Sequence, residues 1–290
     1  MLLPRFEYRH ASSLLQAMTL LAENAEARPL AGGTDLLVDL RERRQTPRLL
    51  VDISELAELR GVAREDGGLR IGGGVTVGEL LASPLVAERL PALREAARGF
   101  ADFLTRNKAT LGGNLANGSP GADLVVPLLA CDARIVLASP AGERTLPLDG
   151  FLLGPRRTAL RPGELVRAVV VPGAAGRQFF YKLGLKRGGA IAVVSVATRV
   201  ALDAGGRCVE ARIALGAVAP RPFRATEAEA ALAGGPLTPA TIGRAAELAA
   251  TAARPISDVR GSEDYRRAMV RALVARGLTE ALSPLGRGEG

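Results

Sequence analysis

Tryptophan is absent and aromatic residues are only 3% of the chain, so a core has to be assembled from Ala, Leu and Val. A single histidine, His10, removes most hydrolytic and metal chemistry at a stroke. HExxH cannot be written with one histidine, and a Ser/His/Asp triad would have to recruit His10. That residue sits just ahead of a predicted helix, far from any nucleophile elbow. Gly118-Ser119-Pro120-Gly121 is not a GxSxG pattern, and neither GxxxxGK nor GxGxxG occurs. Two distant cysteines, Cys131 and Cys208, form no CxxC and no set of four, so no iron–sulfur cluster or structural zinc is expected on this chain. They read as buried thiols in a reducing compartment. No catalytic residue and no metal ligand is therefore assigned. The N-terminal MLLPRFEYRH lacks the apolar region of a signal peptide, and no run of 18 apolar residues exists. The expectation is a cytoplasmic protein without a membrane span.

Lysine is nearly missing as well. Only Lys108, Lys182 and Lys186 occur, and the other 35 of the 38 basic residues are arginine. The formal charge of +8 is spread along the chain, with RERR (41–44) the densest cluster, and few aromatics accompany it. Readers of nucleic acid pair basic patches with stacking aromatics or a recognisable module, so nucleic acid is not an expected partner.

What is present is apolar substance for a sizeable core: 48% hydrophobic residues over 290 positions, enough for two domains. Residues 11–24 have helical periodicity behind Ser12 or Ser13 as a candidate cap. Arg28 to Ala31 reads as a short strand, followed by Gly32-Gly33-Thr34-Asp35, a helix over LLVDLRER and a strand at 48–54. Residues 69–83 read as a strand, a glycine patch, a second short strand and a helix. Residues 91–97 continue as helix. PLLACDARIVLAS (127–139) reads as a short helix and a strand, and Pro172 ends a strand that starts near Gly163. GAAGR (173–177) reads as a linker. Beyond it come β-branched strands over 177–203 and 207–220, which meet at DAGGR as a hairpin, and then helices from Thr226.

The unusual segment is TLGGNLANGSPGAD (110–123), fourteen small and polar residues ahead of an apolar run. An ordinary connection needs two to six residues. Paired glycines, here Gly112-Gly113 and earlier Gly32-Gly33, allow positive φ and close approach of a ligand to the backbone. Successive amides in such turns make a concave nest for an anion, and a following helix adds a partial positive end. Two turns of this kind suit a diphosphate, with Thr34, Thr110, Asn114, Asn117 and Ser119 as neutral donors and acceptors. Taken alone, GGTD is better explained as an ordinary tight turn, since Gly-Gly before a capped helix is common, and a strand bulge accounts for IGGGVT (71–76).

AGGTDL (31–36), RNKATLGGNLANGSPGADLVVPLLACDA (106–133) and YKLGLKRGGAIAVVSVA (181–197) together resemble the FAD-binding medium subunit of the molybdenum hydroxylases. That family includes xanthine dehydrogenase, aerobic carbon monoxide dehydrogenase and 4-hydroxybenzoyl-CoA reductase. The resemblance runs from about residue 1 to 280. It implies an α+β fold: an FAD-binding domain over 1–172, of two α/β subdomains (about 1–55 and 56–172), then a domain of antiparallel strands and helices over 177–282. It implies FAD on this chain, with molybdopterin on a large partner subunit and [2Fe-2S] clusters on a small one, as a dimer of heterotrimers that passes electrons to an external acceptor. It places the first FAD loop on Pro29, Leu30, Ala31, Gly32, Gly33, Thr34, Asp35 and Leu36. The second falls on Thr110, Gly113 and Asn114, with Asn117 and Asp123 around sugar hydroxyls. Phe100 and Ala101 match the position against the flavin ring, Val166 an apolar contact, and Lys182 a cation near the ring. TLGGN stands where many members have TIGGN. The insertion and cysteines that carry a [4Fe-4S] cluster in some members are lacking. A non-flavin nucleotide-diphosphate sensor or adaptor would use the same loops.

Overall fold

The computed structural model describes residues 3–173, 175–186 and 189–283. Ala174 of the predicted linker, Arg187 and Gly188 of the predicted strand region, and the chain ends at 1–2 and 284–290 lie outside the described residues.

The first unit is a three-stranded parallel sheet, with Leu49–Asp52 between Glu7–His10 and Ala27–Leu30. Ser13 caps the helix Leu14–Glu23 by accepting from the Gln16 amide at 3.2 Å, and Leu14, Ala17, Met18 and Leu21 are its buried face. The strand Glu7–His10 has no counterpart in the sequence reading. All four of its residues are exposed, so the edge strand shows no apolar alternation.

The second unit is a five-stranded antiparallel sheet in the order Val62–Glu65, Gly68–Gly72, Leu165–Val171, Arg134–Ser139, Gly142–Pro147. Two expectations are corrected here. The short strand expected near Val75 is a single bridge, Thr76 to Thr110. Thr76 then opens the helix Val77–Ala82 with a capping box shared with Glu79. The fourteen-residue loop is not loop throughout: Leu111–Asn117 is helical, capped by Thr110 and closed by Gly118 at φ 59°.

The C-terminal unit is an antiparallel sheet of Arg177–Gly184, Ala192–Leu202, Cys208–Gly216 and Phe223–Arg224, with helices Thr226–Ala230, Pro239–Ala252 and Glu263–Glu280 after it. Nine consecutive residues of the second strand are buried, because both sheet faces are covered. The helices Glu263–Glu280 and Thr226–Ala230 cover one face, and Pro239–Ala252 packs against both of them. Pro91–Arg98 and Val125–Ala130 of the preceding unit cover the other, and Phe180, Ala197 and Ala214 belong to that unit's core. The mixed helix and strand architecture is as expected from sequence.

An ion network around one buried arginine fastens this junction. Arg199, 3% exposed at its side chain, donates to the Ala130 carbonyl (3.0 Å), Asp132 (2.9 Å) and Glu210 (3.0 Å). Arg212 and Arg224 also reach Asp132. Removing Arg199 leaves a buried carbonyl unpaired and weakens the compensation of two carboxylates. Arg199→Met is expected to cost about 3 kcal/mol, read as a lowered midpoint in chemical denaturation.

Candidate functional site

A cleft of about 900 Å³ opens between the first two units. Its size lies near the upper end of cofactor pockets, roughly 300–1,000 Å³. One wall is the turn after the strand Ala27–Leu30, at the carboxyl edge of the parallel sheet, where ligands of α/β sheets collect. The opposite wall is the helix Leu111–Asn117 with the segment Asn107–Thr110, and Phe100 and Val166 lie along the side.

The first turn is built by two glycines for different reasons. Gly33 has φ 70°, where a side chain is strained. Gly32 has ordinary φ, but a Cβ there would come within 1.8 Å of the Lys108 carbonyl oxygen. The two walls thus touch backbone to backbone. Beyond that contact the amides of Gly32 to Leu36 donate to no protein group among the described residues, while Leu37 donates back to Gly33 (3.0 Å). Five successive donors around a cleft make a site for an anion's oxygens. Asp39 lies beneath this turn, 2% exposed, and receives Arg156 (2.7 Å) and Gln45 (3.0 Å). Burial opposes its ionisation, but those hydrogen bonds and the nearby Arg44 hold its carboxyl below the usual carboxylate range. Burial pushes the Asp35 carboxyl up, with Arg156 opposing in part.

The second wall works differently from the sequence expectation. Its amides are already used: Leu111 donates to Val75 (2.9 Å), Gly112 to Gly73 (2.7 Å), Gly113 to the Thr110 hydroxyl (3.0 Å) and Asn114 to the Thr110 carbonyl (3.0 Å). What it offers the cleft is side chains. Asn114 Oδ1 is buried and without a hydrogen-bond partner, and Asn117 also lines the space. A Cβ on Gly113 would meet only Thr110 Oγ1, at 2.9 Å.

Fourteen of the sequence-derived positions therefore line one cleft: Pro29 to Leu36, Phe100, Thr110, Gly113, Asn114, Asn117 and Val166. Ala101, Asp123 and Lys182 do not line it. Lys182 donates to Asp123 Oδ2 at 2.6 Å and to the Gly99 carbonyl at 3.1 Å, so it stands behind the turn that carries Phe100. The sequence reading left out Gly73, Gly74, Arg60, Asn107, Arg156 and Glu164, which also line the cleft. IGGGVT was visible as a glycine patch, but the others arrive from distant segments and carried no local signal.

Residues 4–174 match the family described as FAD binding domain in molybdopterin dehydrogenase, and residues 179–281 match the CO dehydrogenase flavoprotein C-terminal domain. The chain belongs to this flavoprotein family. It is 38% identical to the carbon monoxide dehydrogenase medium chain of Hydrogenophaga pseudoflava (97% of this chain, 98% of that one). It is 36% identical to a putative xanthine dehydrogenase FAD-binding subunit of Escherichia coli K12 (96% and 97%). The solved structure of the H. pseudoflava carbon monoxide dehydrogenase that lacks the Mo-pyranopterin moiety superimposes with a TM-score of 0.93 at 39% identity, covering 97% of this chain and 98% of that one. Membership makes this chain an FAD-binding oxidoreductase subunit.

The Lys182–Asp123 pair yields a pH test. Burial pushes the Asp123 carboxyl above its ordinary range, and Lys182 pulls it back in part. With Lys182→Met the carboxyl rises further, so the folded state favours protonation. The stability deficit against wild type is then small in acid and grows as pH rises through the raised value. Thermal unfolding of both proteins from pH 5 to pH 8 checks this; a pH-independent deficit would contradict it.

Proposed function

We propose that the chain is the electron-transfer subunit of a multi-subunit molybdenum hydroxylase, taking electrons from [2Fe-2S] clusters on a small partner subunit and passing them through FAD to an external acceptor. A large partner subunit carries molybdopterin and the substrate, within a dimer of heterotrimers in the cytoplasm. The FAD-binding unit spans 1–172 and the C-terminal unit 177–282. The observation that carries the reading is the row of unused amides from Gly32 to Leu36 over a cleft of cofactor size, in a chain of this family.

The residues fit FAD part by part. In the Pro29–Leu36 turn the amides of Gly32 to Leu36 hold the diphosphate, with fixed dipoles in place of mobile cations. Thr110, Gly113, Asn114 and Asn117 face the hydroxyl-bearing chain, and the unpartnered Asn114 Oδ1 accepts from a hydroxyl there. Phe100 and Val166 pack against the ring. Ala101 shapes the same turn, and Asp123 and Lys182 support it from behind. Bound FAD supplies one- and two-electron transfer, while the chain supplies orientation, exclusion of water and electrostatics. Relatives named for carbon monoxide and for xanthine are almost equally similar, so selection of the substrate belongs to another subunit.

The test is direct. The purified protein should show flavin absorbance bands or take up FAD stoichiometrically. A folded chain that refuses FAD, or prefers another ADP-containing cofactor, would sink the proposal. Gly113→Val should weaken FAD binding at least about a hundredfold, while the lost cap costs the apoprotein only about 1 kcal/mol.

The partner contact has a test of its own. Phe103 and Leu104 are 66% and 76% exposed, on the short helix that follows the Phe100 turn. An exposed apolar pair beside the ring suits the subunit that delivers electrons. Phe103→Glu with Leu104→Glu should release the small subunit in size-exclusion chromatography while FAD content stays at wild-type level.

A further inference from the structure

The turn from Arg98 to Asp102 carries Phe100 into the cleft and does so in an unfavourable conformation. Ala101 has φ 38°, a region that an alanine occupies only when its surroundings impose it. The four carbonyls from Arg98 to Ala101 each point to a donor from elsewhere. Arg106 Nη1 donates to Phe100 O at 2.9 Å and to Ala101 O at 3.3 Å, and reaches Arg98 O at 3.5 Å. Lys182 Nζ donates to Gly99 O at 3.1 Å. The Gly189 amide adds 3.2 Å to Ala101 O. Lys182 is itself fixed by Asp123, and these two side chains are 12% and 7% exposed. Asp102 completes the segment by capping the next helix through the Thr105 amide (2.8 Å), and that helix places Arg106.

We propose that Arg106 and Lys182 form a two-cation clamp on the carbonyls of this turn and are positioning residues for Phe100. The clamp rests on the reading that FAD fills the cleft, since it fixes the shelf against which the ring packs. The guanidinium is suited to it because one planar group can hold two successive carbonyls that diverge around a positive-φ residue, which a lysine ammonium on a flexible stem does less well. Lys182 reaches in from the C-terminal sheet, from the strand Arg177–Gly184, so the position of Phe100 is tied to the seating of that sheet on the FAD-binding unit. The clamp thus lets the C-terminal unit adjust the ring's surroundings without lining the cleft.

Two readouts separate failure of the clamp from failure of the FAD reading. The first needs no cofactor. In the apoprotein, trypsin should cleave after Arg98 at least about tenfold faster in Arg106→Ala than in wild type, because opening of the turn exposes the bond. Arg106→Lys should fall between them. The second uses FAD. Arg106→Ala should bind FAD about tenfold more weakly, in line with loss of a charged hydrogen bond. Its flavin circular dichroism should change, and Lys182→Arg should keep most of the wild-type signal. Unchanged cleavage after Arg98 in folded Arg106→Ala would overturn the clamp even if FAD binds normally. So would a cleavage increase spread evenly over all arginine sites, which reports general destabilisation. Faster cleavage after Arg98 with no effect on the flavin would overturn the positioning role. Refusal of FAD by wild type itself would remove that role with the reading it rests on.

Discussion

The cleft depends on a contact that contains no side chain. Gly32 lies so close to the Lys108 carbonyl that a single Cβ would reach 1.8 Å. The same device recurs deeper in the fold. A Cβ on Gly73 would meet Val166 O at 2.0 Å, and one on Gly112 would meet Gly73 O at 2.7 Å. These glycines bring one segment of each unit to backbone distance of the next, from the parallel sheet to the helix Leu111–Asn117 and on to the antiparallel sheet. Close approach of this kind leaves the cleft walls rigid, because no rotamer can yield. It also explains why the walls are small: their glycines answer first to each other, and the room left for a ligand follows from that.

The two halves of the cleft then divide the work unequally. Both were legible as glycine turns, and symmetry suggested two amide nests. The structure keeps one. Among the described residues the amides of Gly32 to Leu36 are unspent, whereas those at the start of Leu111–Asn117 are consumed by Val75, Gly73 and Thr110. A sequence shows where backbone is unencumbered. It does not show which amides another segment has already claimed, since that depends on contacts across long separations.

The same limit sets what else could be read. The central C-terminal strand was legible because burial on both sides of Ala192–Leu202 favours a run of small and β-branched residues with few charges. Leu111–Asn117 was hidden because two glycines argue against a helix, and its stability comes from the Thr110 cap and from packing of Gly112 on Gly73. Glu7–His10 was hidden because an exposed polar edge strand has no pattern to show. Fourteen of the resemblance-derived positions fall on one cleft, but Asp123 and Lys182 stand one layer back, joined to each other. A motif conveys which residues belong to a neighbourhood; the distance of each from the ligand is a property of packing.

That one-layer displacement bears on how a strongly basic chain can hold an anionic cofactor without crowding it with charge. Arginines abound, yet three cations about the cleft are already neutralised: Arg156 by Asp39, Arg60 by Glu79 and Lys182 by Asp123. Bringing a mobile arginine onto a diphosphate would require ordering a long side chain and stripping its water. The amides of Gly32 to Leu36 are ordered by the fold itself and present their dipoles before any ligand arrives. Paired cations beneath and behind serve instead to stiffen the turns, Arg156 under the first and Lys182 behind Phe100. The charges of these three pairs act on the scaffold, and the neutral backbone of Gly32 to Leu36 lines the cleft.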